Sequence, residues 1–174
     1  MSTDLWFPLQ RITDDSMNDA DLIGRMVFRA RQSTSAQNIT SGGDTAANAI
    51  QWQDIDLDLL GGWNGGQPTR WTAPRAGWWE LSGGVSFAGS TAGQIRECVW
   101  YVGGSAISGG RGRPTPNSAI TASALTAEAR TIPVQLGVGG YVELIAAQNS
   151  GGNLATFTGS YSPYISITYA GPST

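Results

Sequence analysis

The chain of 174 residues contains no histidine and no lysine, and Cys98 is its single cysteine. Without imidazole the commonest general base is missing, together with the usual partner of a serine or cysteine nucleophile and the commonest metal ligand. Most hydrolase mechanisms are excluded with it. One cysteine rules out any intrachain disulfide. Cys98 stands in the apolar run IRECVWYV, where no His or Lys is near to lower its pKa, and it is expected to be a buried small hydrophobe, not a reactive thiol. With lysine absent, the ten basic residues are all arginine, and thirteen acids bring the net charge to -3 and the pI to about 4.7. Such a chain has no electrostatic reason to bind nucleic acid or an anionic membrane. No apolar run reaches membrane-spanning length, and the start, MSTDLWFPLQRITDD, has neither a basic n-region nor an apolar h-region. The expectation is a protein made and used without a signal peptide.

What is abundant points to one fold class. Only 13% of residues are charged, which disfavours long surface helices, whereas 24 glycines and 8 prolines favour short segments joined by tight turns. From Met26 onward the hydrophobic period is two. The runs RMVFRARQ, AIQWQDIDLDLL, TRWTA, GWWELSGGVSFAG, IRECVWYVGG, ITASALTAEARTIPVQL, YVELIAAQNS and YISITYAG predict eight strands, each bounded by Gly, Pro, Asn or Ser. In WWELSGGVSF the residues Trp79, Leu81, Val85 and Phe87 share one parity, and Glu80, Ser82 and Ser86 the other. One face is therefore core, and the other is wet or meets a partner. Turn chemistry is explicit in Ala73 to Gly77, Val102 to Gly104, Gly137 to Gly140 and Asn149 to Gly152. The stretch SGGRGRPTPNS (108–118) has no pattern and reads as a loop, its Arg111 and Arg113 too few for a nucleic-acid tract.

Residues 1–24 read as an arm and residues 25–174 as the domain. In the arm, LWFPL is a compact apolar knot, and the polar TDDSMNDAD after it holds Ser16 and Asp19 as a cap for one helical turn. Leu5, Trp6, Phe7, Pro8 and Leu9 place aromatic area in a segment too short to fold alone, which is the composition of an interface anchor or, alternatively, of a plug that folds back onto its own domain or a sister subunit.

The acidic residues suggest neither a metal site nor a catalytic pair. Asp54, Asp56 and Asp58 alternate with Ile55, Leu57 and Leu59. On an extended strand, residues two apart are separated by roughly 6.6 Å, so the three carboxylates point one way without converging on one ion. They read as a wet strand face that fixes register and blunts an edge. Glu80, Glu97, Glu128 and Glu143 sit at strand positions that solvent exposure explains. No catalytic residue, metal or cofactor is expected.

The order of these strands resembles a known family. PTRWTAPRAGWWELSGGVSF is similar to the strand, Pro-x-x-Gly turn and aromatic strand of the complement globular-head and tumour-necrosis-factor-like jelly roll. RTIPVQLGVGGYVELIAAQNSGG resembles its next-to-last hairpin, YSPYISITYAG its closing strand, and IRECVWYVGGSAIS its middle hairpin. The segment IQWQDIDLD with the following GGW is more similar to phage virion versions of the domain. The resemblance covers roughly residues 25–171. It implies an all-β, antiparallel jelly-roll β-sandwich and a homotrimer built around one inward-facing sheet, with no catalytic residues. The function it implies is a bacteriophage structural protein made in the host bacterial cytoplasm. The leading expectation is a capsid decoration protein fastened to the major capsid protein, or another virion protein, by its arm. The alternative is a tail-fibre or tail-tip module that binds a host-surface glycan, with Trp63 and Trp78 as stacking platforms.

Overall fold

In the computed structural model, residues 20–114 and 125–173 are described. Eleven strands follow one another: β1 (Met26–Arg31), β2 (Asn38–Ile39), β3 (Asp54–Asp58), β4 (Trp71–Thr72), β5 (Gly77–Phe87), β6 (Arg96–Val102), β7 (Ser105–Gly112), β8 (Leu125–Leu136), β9 (Tyr141–Gln148), β10 (Leu154–Ala155) and β11 (Tyr164–Gly171). They form a five-stranded sheet in the order β3-β1-β11-β5-β8, a four-stranded sheet in the order β4-β9-β6-β7, and the small ribbon β10-β2. Every strand pairing is antiparallel. This is a jelly-roll β-sandwich, as the sequence predicts.

Alternation explains why the two sheets close on each other. On β5, Trp79, Leu81, Val85 and Phe87 are buried while Trp78 and Glu80 are exposed. On β11, Ile165, Ile167 and Tyr169 point inward. The other sheet contributes Val142, Leu144, Ala146, Cys98 and Trp100 to the same core. Four tryptophans, Trp52, Trp71, Trp79 and Trp100, are fully buried. Trp71 meets Trp79 edge-on at 4.9 Å between ring centroids, and Trp79 lies 4.8 Å from Tyr169. These offset geometries suit the ring quadrupoles and add to the apolar area removed from water.

The eight predicted runs all contain strands, and three strands were not foreseen as separate elements. Two are the short β2 and β10. The third is β7: the middle-hairpin resemblance anticipates its start, Ser105 to Ser108, and its remainder takes up the first part of the stretch read as a loop; residues 115–118 of that stretch lie outside the described residues. Its glycines hide the alternation, yet they are what the site requires. Val102 pairs with Ser105 across Gly103 (φ 57°) and Gly104 (φ 83°), a two-residue hairpin in which both turn residues need positive φ. At its far end β7 passes so close to β8 that a Cβ on Gly112 would lie 1.6 Å from the Glu128 carbonyl oxygen. Beside that crossing, the Trp100 Nε1–H donates to the Arg130 carbonyl at 3.0 Å, and the Cys98 thiol to that of Ala127 at 3.1 Å. The edges of opposite sheets are thus joined directly.

The sandwich begins slightly before Met26. Leu22 packs against the core, and the Gly24 N–H donates to the Tyr169 carbonyl at 2.8 Å. Leu5, Trp6, Phe7, Pro8, Leu9, Ser16 and Asp19 lie outside the described residues.

Gly112→Ala is expected to force β7 away from β8 and to cost roughly 1–3 kcal/mol, the usual range for overpacking. Gly137→Ala, where nothing stands within 4 Å, is the control and is expected to leave the thermal midpoint nearly unchanged. Differential scanning calorimetry of the two variants checks the difference.

Candidate assembly surface

The two sheets differ in what happens to their outward faces, and the four-stranded one is closed. Ala49 bridges to Ile145 and, with Val99 and Tyr101, makes a second small apolar cluster on that face. Gln37 holds this loop by donating from Nε2 to the Ala49 carbonyl at 2.8 Å. Two carboxylates are buried beneath arginines. Glu97 accepts from Arg111 and, at 2.6 Å, from Arg113, while Arg111 also reaches Asp44 at 2.7 Å. Tyr101 donates its hydroxyl to the Asp44 carbonyl at 3.0 Å. Glu143 accepts from Arg70 at 3.1 Å and Thr69 at 2.8 Å, and the Arg70 guanidinium lies 4.2 Å from the Tyr141 ring centroid. The expectation of solvent exposure therefore holds for Glu80 and Glu128 but fails for Glu97 and Glu143, because arginines distant in sequence neutralise them.

The outward face of the five-stranded sheet is open among the described residues. Cross-strand register arranges it in rows, since directly opposed residues share a face. One row runs Asp54, Arg31, Tyr164, Gly84, Glu128; the next Leu57, Arg29, Ser166, Ser82; the next Met26, Thr168, Glu80, Pro133; and the last Gly171, Trp78, Gln135. Met26, Arg29, Trp78, Glu80, Glu128, Pro133 and Gln135 are exposed. Small residues, Ser82, Gly84 and Ser166, occupy the middle of the face. Tyr164 donates its hydroxyl to Glu128 at 2.7 Å across Gly84, where a Cβ would stand 2.5 Å from that carboxylate. Burial, and then this hydrogen bond, push the Tyr164 hydroxyl pKa up to about 12.

The aspartate strand lies at the edge of the same sheet, but its three carboxylates do not share a face. Buried Ala30 opposes Ile55 and buried Phe28 opposes Asp58, because a register shift separates the two pairs. A bulge therefore turns Asp58 inward relative to Asp54. Each acid has its own task. Asp54 accepts from the backbone N–H and hydroxyl of Ser33 and, at 3.1 Å, from the Thr34 hydroxyl. Asp56 is held by Arg31 through two bonds of 2.8 and 3.0 Å, with Arg29 at 3.5 Å. Asp58 accepts from the N–H groups of Gly62 and Trp63, both at 3.0 Å. Leu59, just past the strand, is exposed.

Of the two predicted stacking platforms, Trp78 stands exposed on the open face. Trp63 does not offer a free ring: it is partly buried against the core and donates from Nε1 to the Pro68 carbonyl at 3.3 Å. Gly65 of its local turn lies under the indole. Cys98 is buried, and burial raises its thiol pKa to about 12. Among the described residues no group of three or more metal-ligating side chains comes together, and no helix is long and apolar enough to cross a membrane.

By sequence, no protein-family model and no curated protein matches the chain. By structure it is similar to a tumour necrosis factor, Eiger, from S. frugiperda, with TM-score 0.61 and 7% identity over 86% of this chain and 95% of that one. It is also similar to murine APRIL (TM-score 0.59, 11% identity, 83% and 99% of the two chains). A third similar structure is the globular domain of a zebrafish complement 1qA protein (0.54, 8%, 86% and 100%). At such identities the likeness establishes the fold: an antiparallel jelly-roll sandwich of the tumour-necrosis-factor and complement globular-head kind.

The pH response follows from the carboxylates. Hydrogen bonds from Ser33 hold the Asp54 pKa below its ordinary value, and those from Arg31 do the same for Asp56. A group whose folded pKa is depressed contributes stability above its unfolded pKa of roughly 3.9 and loses it as pH falls through the folded value. With no histidine to titrate, the melting temperature is expected to be flat from about pH 5 to 8 and to fall below about pH 4. Thermal melts across that range check it; a marked slope near neutrality would contradict it.

Proposed function

We propose that this chain is a structural protein of a bacteriophage virion, a homotrimeric decoration protein that stands on the capsid and is fastened there by its N-terminal arm. The observation that carries the proposal is the asymmetry of the sandwich: one outward face is covered by a loop and buried ion pairs, and the other has no such cover among the described residues. A face with Ser82 opposite Ser166 and Gly84 opposite Tyr164 admits close approach of a second copy. Packing three copies around that face closes a ring and leaves the sealed face outward. The placement on a virion comes from the similarity of IQWQDIDLD and the following GGW to phage versions of the domain. Binding to a host-surface glycan from a tail is the second reading, and the exposure of Trp78 favours it.

Light scattering of the purified chain is expected to give about 55 kDa, three times 18.3 kDa. Ser82→Arg, in the middle of the open face, is expected to give the single-chain mass with an unchanged circular dichroism spectrum. A wild-type monomer would overturn the trimer. Deleting residues 1–19 is expected to leave the trimer intact and to abolish binding to purified capsids; a truncated protein that still coats capsids would refute the arm's role.

A further inference from the structure

Four of the exposed large apolar residues gather at one end of the open face, at the end where the arm enters the sandwich. Ile23, Met26, Leu59 and Trp78 are 51%, 41%, 44% and 41% exposed. Backbone pairing makes them neighbours. Residues 24 and 25 continue the pairing of β1 with β11, through Gly24 N–H to Tyr169 O at 2.8 Å and Tyr169 N–H to Arg25 O at 3.1 Å. Ile23 therefore lies beside Ala170 and Gly171, and Gly171 pairs with Trp78. Met26 pairs with Thr168 in the adjacent row, and Leu59 donates its N–H to the Val27 carbonyl at 2.9 Å, one residue from Met26. Clustered apolar side chains of this size on a sheet surface mark a place that something covers.

The occupant is indicated by what is attached to the patch. Nineteen residues precede Ala20, the first described residue, and their apolar content is concentrated in Leu5, Trp6, Phe7 and Leu9. Pro8 fixes one φ in that segment and so lowers the entropy lost on docking. From Leu9 to Ala20, where a helical turn begins, the chain has eleven residues, a reach of up to roughly 36 Å at about 3.3 Å per residue. The patch spans β3 to β5, three strand spacings or roughly 14 Å. A tether that comfortably exceeds the span presents the segment at an effective concentration in the millimolar range. Modest affinity then suffices for occupancy.

We propose that in the single chain, before copies close around this face, Leu5–Leu9 lies on the patch formed by Ile23, Met26, Leu59 and Trp78 of its own chain. Any partner that takes up the arm must exchange it off this patch. The patch serves as the arm's resting site and shields its aromatic residues before assembly. The inference does not depend on what the arm finally binds, so capsid-binding assays and the experiment below fail independently.

The test uses a fluorescent peptide of residues 1–19 and two proteins that both carry Ser82→Arg, so that no second copy covers the face: the full chain and one lacking residues 1–19. The shortened chain keeps every residue of the main core, all of which lie between Val27 and Tyr169. It is expected to bind the peptide saturably, and the full chain at least tenfold more weakly because its own segment occupies the site. Trp78→Asp or Met26→Asp in the shortened chain is expected to remove binding with an unchanged near-ultraviolet spectrum. Equal binding by the full chain, no binding by the shortened one, or insensitivity to both substitutions overturns the proposal. If the shortened chain does not fold, hydrogen exchange of the full chain decides. Trp6→Asp is expected to speed exchange at residues 57–60 several-fold, and unchanged rates overturn the proposal.

Discussion

A carboxylate taken out of water must be given cations and hydrogen bonds, and Glu97 is where that requirement organises this molecule. To neutralise it, Arg111 and Arg113 must reach back from the end of β7, which fixes the second half of the β6–β7 hairpin against β6. Arg111 then carries the constraint to Asp44, and Asp44 to Tyr101. The loop containing Asp44 is thereby laid over the four-stranded sheet, with Ala49 packed on Val99 and Ile145. Glu143 repeats the arrangement one strand over with Arg70 and Thr69.

The consequence is a sandwich with two unlike faces. On the sealed side, charge is spent on holding a loop. On the open side, Arg29, Arg31 and Asp56 pair among themselves at the β3 edge, and the centre carries hydroxyls and glycine. The inner aromatic column of Phe28, Trp71, Trp79 and Tyr169 packs within the core between the two sheets. The short side chains in the middle of the open face have little rotamer freedom to lose when another copy is met.

Much of the fold was legible because period-two alternation is a direct imprint of a two-faced sheet: the core parity of β5, Trp79, Leu81, Val85 and Phe87, reads correctly from sequence alone, while Ser86 on the other parity is buried against Thr126 on β8 and not wet. Where the chain escapes that imprint, the reading failed for identifiable reasons. In β7 the residues Ser108, Gly109 and Gly110 carry no apolar signal, and the glycine at 112 is demanded by a neighbouring strand from another sheet. Glu97 and Glu143 look solvent-exposed because their arginines are brought up by tertiary folding, from 14 and 16 residues away for Glu97 and 73 for Glu143. Asp58 leaves the face of Asp54 through a bulge that no local residue announces. Trp63 is a stacking candidate because aromatic rings beside Asn and Gln suit sugars; that its ring is partly buried against the core depends on tertiary packing that the local sequence does not announce. The openness of the five-stranded sheet was foreseeable only as an alternative, wet or partnered.

The central claim is that this face is an interface between copies while the opposite face is sealed within each chain. Hydroxyl-radical footprinting of the native protein tests it most directly, with Tyr164 on the open face as reporter and Tyr101 on the sealed face as internal reference. The account expects Tyr164 to be protected in the wild-type protein and to become several-fold more reactive in Ser82→Arg, with Tyr101 unchanged. Equal labelling of Tyr164 in both proteins would contradict it.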